Sequence, residues 1–381
     1  MADQVLDLQA NRFVTWRRAL AYSGYAFDQI APYLPRFNVF RSSFKQVTID
    51  ALTVRCHRSI PDEEAFIAAW EQLYRQCPDA TPYHSLAWQK SLLETAEAAG
   101  RLRLFTVHDR ERLVGILPLE ARWGRVLRST GGILANYLDP LIDPQYATKC
   151  WRAVLLGMKR LTPGRSIVIE GVREESASCR ELRDDEARAA GFELCTESGG
   201  TVARVPLPAT WDAYLAALDG HDRRELKRKL RKAEQAGGRL DVCSDPVTVE
   251  QQINSMLHLL GLGGGGRSLK AKWLFPKHFA NCSQELARSG RLAIFTLVIQ
   301  EQPAARAIQL PASTGLIGWN ITFEPAMRDW SPGIVLLAMI IRHSIEKGYT
   351  VHDMSSGQYE YKYRLGAKDY PLRKLTLKPA A

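Results

Sequence analysis

The strongest constraint on the fold lies between Leu316 and Met354, where strand, turn, helix and strand follow one another. Leu316 to Phe323 is rich in β-branched and aromatic residues, and polar, turn-prone residues follow it. Ile334 to Ile345 is apolar on almost every side, the pattern of a helix buried on several faces. Lys347 and Gly348 close that helix with a cation in its last turn and a glycine just beyond. Tyr349 to Met354 then returns as a strand. Two strands joined by a crossover helix of this length predict a parallel pair, and with it an α/β (α+β) chain.

The turn into that helix reads as an anion site. Ser331 suits an N-cap, and Pro332 suits the first helical position, where a missing N–H costs nothing. Gly333 leaves the first turn bare, so a ligand can approach the free N–H groups. The partial positive charge of the helix start, at the carboxyl edge of the sheet, favours phosphate. Further on come His352-Asp353 and the cluster Tyr361-Lys362-Tyr363-Arg364.

The order of these motifs resembles the acetyltransferase-like family typified by the cellulose-biosynthesis protein CelD. That family carries an S-P-G turn, an apolar helix, an acidic residue ending a strand, and a Y-K-x-x-x-G run. Here those are Ser331-Pro332-Gly333, Asp353, and Tyr361-Lys362 with Gly366. The similarity spans roughly residues 50 to 378 and also touches Tyr83-His-Ser-Leu-Ala-Trp88, Gly115-Ile-Leu-Pro-Leu119 and Tyr137-Leu-Asp139-Pro140. The family is a branch of the GNAT superfamily and is related to the FemABX aminoacyl transferases. In GNAT enzymes an R/Q-x-x-G-x-G/A turn holds the pyrophosphate of coenzyme A, and Arg328-x-x-Ser331-x-Gly333 matches it with serine for the first glycine. The resemblance thus implies a tandem GNAT-like fold with Arg328, Ser331 and Gly333 on the donor.

A repeat supports two copies of one unit. Arg101-Leu-x-x-Phe105-Thr-Val and Gly115-Ile-Leu-Pro-Leu119 echo Arg291-Leu-x-x-Phe295-Thr-Leu and Ala307-Ile-Gln-Leu310, an offset of about 190 residues. The second copy keeps the phosphate turn. The first has Arg128-Ser-Thr-Gly131-Gly132 near the corresponding place with no clear helix directly behind it, and reads as degenerate, shaping the acceptor groove. The expected division is an aromatic and basic arm (1–48), a degenerate GNAT-like domain (49–208), a basic linker helix (209–240) and a GNAT-like domain with the donor site (241–381). A chain of 381 residues is long enough for two cores.

Composition bounds the remaining choices. Hydrophobic content of 46% with 24% charged residues is globular. No apolar run reaches membrane-spanning length, and MADQVLDLQANR lacks a signal-peptide core, so a cytoplasmic protein is expected. The seven cysteines stand singly, without metal-ligand spacing, and read as reduced, buried thiols; no metal site is expected. The formal net charge of +10 concentrates in His221 to Gln235, with seven basic residues between Arg223 and Lys232. Leu226, Leu230 and Ala233 give this segment one narrow buried stripe, so it predicts an amphipathic helix with a basic face, ended by Gly237-Gly238. That face is either a solvated surface or a platform for an acyl carrier protein, a tRNA or a sugar nucleotide. Aromatic residues do not interleave with its charges, so DNA and a single-strand stacking surface are not expected. Residues 11–44 hold nine aromatic residues among arginines and read as an arm packed on the body, or as an interfacial segment on the inner membrane face. The glycine run Gly261-Leu-Gly-Gly-Gly-Gly266 reads as a flexible lid.

The chemistry expected is acyl transfer to an amine. The amine must lose a proton, the oxyanion needs a donor, and the leaving thiolate needs an acid. Asp353 ends its strand where it would take or relay the acceptor's proton, or position the acceptor. His352 faces the opposite side and is expected to be a hydrogen-bonded structural residue. Tyr361 is the candidate general acid, with Tyr363 the alternative, since a phenol of pKa about 10 stays protonated at neutral pH. Lys362 would neutralise a phosphate or carboxylate. The activity expected is N-acyl transfer from acyl-coenzyme A or an acyl carrier protein to a small or saccharide amine, in exopolysaccharide or envelope biosynthesis by resemblance. The alternatives are aminoacyl transfer from tRNA and a silent scaffold subunit. No tightly bound cofactor is expected.

Overall fold

The structure, a computed structural model, describes residues 44–131, 135–262 and 276–380. The N-terminal half runs β1 (Phe44–Ile49), β2 (Leu52–His57), α1 (Glu64–Gln76), α2 (Leu86–Ala98), β3 (Leu102–Asp109), β4 (Arg112–Arg122), β5 (Val126–Ser129), β6 (Leu141–Ile142), α3 (Ala147–Leu161), β7 (Ser166–Arg173), α4 (Asp184–Ala189) and β8 (Phe192–Pro206). The C-terminal half follows with α5 (Trp211–Ala217), α6 (Gly220–Gln235), β9 (Arg239–Cys243), α7 (Pro246–Leu262), α8 (Pro276–Arg288), β10 (Ala293–Ile299), β11 (Gln302–Ala312), β12 (Gly315–Phe323), α9 (Pro332–Glu346), β13 (Val351–Ser356), α10 (Glu360–Arg364) and β14 (Lys368–Pro379). Residues 1–43 of the aromatic arm and the glycines 263–266 lie outside the described residues, whereas residues 44–48 of the arm belong to β1.

The expected duplication is present. β2-β3-β4-β5-β7 and β9-β10-β11-β12-β13 are the same antiparallel meander followed by a parallel crossover, through α3 in one half and α9 in the other. The strand over Leu316–Phe323, the apolar helix and the parallel return all stand as the sequence predicts. The halves then exchange strands. β14 inserts between β7 and β8, and β8 between β14 and β13, so one continuous sheet runs through both halves. β8 and β14 pair antiparallel from Lys368/Arg204 to Pro379/Phe192.

Helices cover both faces, which is why β10 is buried at every position. α9 packs its apolar surface on β10, β11 and β12 through Val335, Leu336 and Ile340, and on β8 and α6 through Leu337, Ala338 and Ile341. On the opposite face a shared core joins the halves: Tyr83, Trp88, Leu92 and Tyr137 pack with Ile253, Leu286, Ile308 and Ile317. The basic segment is a helix as predicted, with Leu226 and Ala233 buried, and its start is capped by Asp219, whose Oδ1 accepts from the His221 amide at 2.8 Å. It packs on α9.

His352 departs from expectation. It is fully buried, but neither ring nitrogen has a hydrogen-bond partner among the described residues, because apolar groups surround its face of β13. Burial pushes its pKa down to about 4. His57 and His108, which share the Thr106 hydroxyl at 3.0 Å each, are also lowered to about 4, by burial and then by Arg55. Below the unfolded value near 6.5 the unfolded chain binds protons that the folded chain refuses. Unfolding free energy is therefore expected to fall as pH drops from about 6.5 towards 4, by up to about 1.4 kcal/mol per group and per unit. Urea midpoints between pH 7.5 and 4.5 measure this, and His352→Leu should flatten the slope by roughly one proton.

Candidate functional site

The site grows from a local fault in the ladder. β12 and β13 pair only at Gly315/Val351, Leu316/His352 and Ile317/Asp353. β12 continues along β11 to Ala305/Phe323, while β13 bulges between Asp353 and Ser356 and follows β8. At the bulge Ser355 takes a left-handed φ of 62°, a conformation that costs a non-glycine residue about 1 kcal/mol. The β11/β12 ladder also slips, between Ile308 and Gln309, which adds a residue to β12 near Trp319. Ile317 and Trp319 therefore face the shared core, while Ile321 faces α9. The Ser355 hydroxyl still donates across to Gly318 O; past that bond the two strands open as a V, and the main-chain groups of β12 beyond Gly318 line one side of it. An extended ligand can pair with such an edge.

At the mouth of the V lies the predicted anion turn, between a 3-10 turn (Pro325–Trp330) and α9. Ser331 sits at the N-cap position, but its side chain makes no cap bond among the described residues. Its backbone is left-handed instead (φ 50°, ψ 47°), its N–H donates to Arg328 O at 3.0 Å, and its carbonyl accepts from Ile334 and Val335. Glycine adopts that backbone freely, so the serine preserves the conformation that the family's glycine would supply. A Cβ added to Gly333 would meet only Ile321 Cδ1, at 4.0 Å. The passage from the turn into the V is open there. Arg328 is exposed beside it.

The basic helix forms a wall of this turn. Lys232 Nζ donates to Asp329 O at 3.1 Å and lies 4.6 Å from the Trp330 ring centroid. Lys229, Asp222, Glu225, Ile334, Tyr361 and Arg364 line a crevice of about 360 Å³ at the start of α9. Its carboxylates are paired: Arg364 bonds Asp222 at 2.7 Å, and hydrogen bonds first from Arg228 and then from Lys229 hold the Glu225 carboxyl down to about 2. Tyr361 thus stands beside the donor turn, on α10.

Asp353 lies on the other face, in a network that crosses the halves. Its Oδ2 accepts from the Tyr137 hydroxyl and from Arg204 Nε at 3.1 Å, and its Oδ1 accepts from the Ser355 amide at 2.7 Å. Arg204 also donates to the Tyr137 oxygen at 2.9 Å and stacks 3.5 Å over the Tyr370 ring. Burial, and then the Asp353 charge, push the Tyr137 phenol well up, so it stays protonated and donates. Asn136 donates to Ser355 Oγ at 2.7 Å and to Tyr83 Oη at 3.1 Å. Tyr137, Arg204, Asn136 and Ser355 went unrecognised as site residues in the sequence. The Tyr137-Leu-Asp139-Pro140 motif was a signal for the first, whereas Arg204 is an ordinary alternating strand residue.

Lys362 requires a correction. Rather than meeting a phosphate or carboxylate, it is buried, and its ammonium donates to Met354 O (2.6 Å), Ser355 O (2.9 Å) and Ser356 O (2.8 Å). An ammonium has three donors, and all three serve the carbonyls of the bulge. The short helix α10 places it there, directly after Tyr361. Among the described residues no group of three or more His, Cys, Asp and Glu side chains is arranged to hold a metal. No helix among them is long and apolar enough to cross a membrane. Lys362→Met should strand the three carbonyls and cost about 3 kcal/mol or more in a denaturant titration, since lost charged hydrogen bonds leave desolvated acceptors behind.

Comparison with known proteins agrees with the fold. Residues 220–363 match a family model described as the acetyltransferase (GNAT) domain. No curated protein matches the chain. Among solved structures the chain is similar to FemX, with 11% identity and a TM-score of 0.56 over 81% of this chain and 95% of that one. It is also similar to the C-terminal domain of a putative lysylphosphatidylglycerol synthetase from Agrobacterium fabrum, with 13% identity and a TM-score of 0.52 over 82% and 90%. A conserved protein of unknown function from Bacteroides thetaiotaomicron follows, with 8% identity and a TM-score of 0.50 over 89% and 100%. At such identities the likeness is one of fold. The chain carries a GNAT-type acetyltransferase domain within a tandem GNAT-like fold, and by that domain it is an acyltransferase.

Proposed function

We propose that the chain transfers an acyl group from a thioester, on coenzyme A or an acyl carrier protein, to the amine of a small or saccharide acceptor. The observation that carries this reading is the open V between β12 and β13, with the glycine-bare helix start of α9 at its mouth. The donor's phosphates would lie against the turn of Arg328, Ser331 and Gly333, and its extended arm along β12. The amine nitrogen attacks the thioester carbon from the Asp353 face. Its proton passes to Asp353, at the Oδ1 oxygen that already carries the Ser355 amide, and the oxyanion rests on a β12 amide. The carbon–sulfur bond breaks, and Tyr361 beside the turn protonates the thiolate. The envelope or exopolysaccharide setting implied by the CelD-like resemblance belongs to this same reading.

A second reading, aminoacyl transfer from tRNA, draws support from the position of the basic helix beside the donor turn and from the fold likeness to FemX. The two separate on the donor. A matching acyl-coenzyme A at a hundred times its Kd should add about 2.7 kcal/mol to stability. A shift with charged tRNA and none with any acyl-coenzyme A or acyl carrier protein would favour the second reading. Thiol release with amines tests the transfer itself, and its absence with every donor would leave a silent scaffold.

Two substitutions divide the site. Gly333→Val enters open space, so unfolding should barely change while donor affinity drops tenfold or more, a cost of about 1.4 kcal/mol or above. Asp353→Asn should instead lower kcat by about a hundredfold, the usual scale of a lost acid–base group, with donor affinity unchanged. Equal loss of both in Asp353→Asn would assign the residue to structure alone.

A further inference from the structure

The V of the N-terminal half is filled from within. β5 and β7 pair in parallel at Val126/Ser166, Leu127/Ile167 and Arg128/Val168, as β12 and β13 do in the other half. Beyond that point the chain's own residues 135–140 enter the gap. Leu138 N donates to Gly171 O at 3.2 Å, and Asn136 O comes so close that a Cβ on Gly171 would lie 2.4 Å away. The plug is fastened at its far end. Arg173 grips Asp139 through Nε (3.2 Å) and Nη2 (2.6 Å) and reaches Asp79 O at 2.7 Å. His84 adds a bond from Nε2 to Asp139 O at 3.0 Å; its Nδ1 accepts from the Thr81 amide, so Nε2 carries the proton. Burial pushes the Asp139 carboxyl up, but the Arg173 guanidinium more than offsets this and holds it below the ordinary range. The fastening is therefore ionised and rigid. At the plug's other end Asn136 and Tyr137 project onto β13 of the opposite half.

We propose that Tyr137, delivered by this plug, is the positioning residue that orients the Asp353 carboxylate, so that the N-terminal half completes the chemistry of the C-terminal donor site. Its hydroxyl, with Arg204, occupies Oδ2, and this leaves Oδ1 to the Ser355 amide at the bulge where the V begins. The inference rests on the transfer reading above. Around Asp353 the other titratable or charged groups are Tyr83 from the segment before α2, Arg204 on β8 with Glu175 bonded to it at 3.3 Å, and His352 on the strand's opposite face. None of these replaces a donor lost from Oδ2 without moving.

The test uses the full chain, with thiol release from a panel of acyl-coenzyme A donors and glucosamine as amine. Tyr137→Phe keeps the ring under Arg173 and Arg204, at 5.2 and 5.3 Å, and removes only the hydroxyl. It should lower kcat about tenfold or more while KM for the donor stays within about twofold. Added to Asp353→Asn, it should cost almost nothing further, the mark of a residue acting through another. Circular dichroism and the urea midpoint verify that the variant is folded. An unchanged kcat, or losses that simply multiply in the double variant, would overturn the inference with the transfer reading intact. No thiol release by the unaltered chain with any donor would overturn both.

Discussion

The pairing of β8 with β14 is the constraint on which the rest of the molecule depends. Each strand comes from the end of one half and completes the sheet of the other, so neither half closes its main-chain ladder by itself. Losing so long a ladder of N–H and C=O pairs would cost more than any single side-chain contact supplies. The exchange also fixes the separation of the two Vs. Arg204 stands where β8 faces both Asp353 on β13 and Lys368 on β14, so the seam between halves is where the charged network forms.

A buried cation gathers the bulge at which the V opens. Where β13 turns at Ser355, the Lys362 ammonium donates to three successive carbonyls, those of Met354, Ser355 and Ser356. This explains a lysine that is only 3% exposed, which a phosphate-binding role would not require. Its charge is used where the backbone is irregular. The left-handed Ser331 and Ser355 are likewise two non-glycine residues that accept strain, one at the start of α9 and one at the bulge of β13.

What was legible in the sequence follows from periodicity. The strand, apolar helix and parallel return around Ser331 to Gly333 have patterns of their own, and so do the repeated hairpins and the stripe of α6. The parts that were not legible depend on partners distant in sequence. Lys362 read as a partner for a phosphate or carboxylate because its true acceptors are backbone carbonyls, which leave no mark on composition. His352 was expected to find a hydrogen bond, yet its face of β13 packs on apolar residues of α5, α6 and α9. Ser331 was expected to cap with its side chain, and serves through its backbone torsion instead. The Tyr137–Arg204–Asp353 network joins residues from both halves that no spacing rule connects.

A single loop accounts for the different fates of the two Vs. After β12 the connection to α9 covers only residues 324–331, so the helix must begin at the mouth of the V, and its first turn faces the gap. After β5 the connection to α3 runs over residues 130–146, about twice as long, and is free to fold back. A gap lined by unpaired main-chain groups will be filled by whatever can satisfy them. In the N-terminal half that is the chain's own segment 135–140, pinned by the Asp139–Arg173 pair. Its tip then reaches the neighbouring half, where a second copy of the same gap stays open. The difference in length between the two connections is thus enough to make one gap of the duplicated fold open and the other a wall beside it.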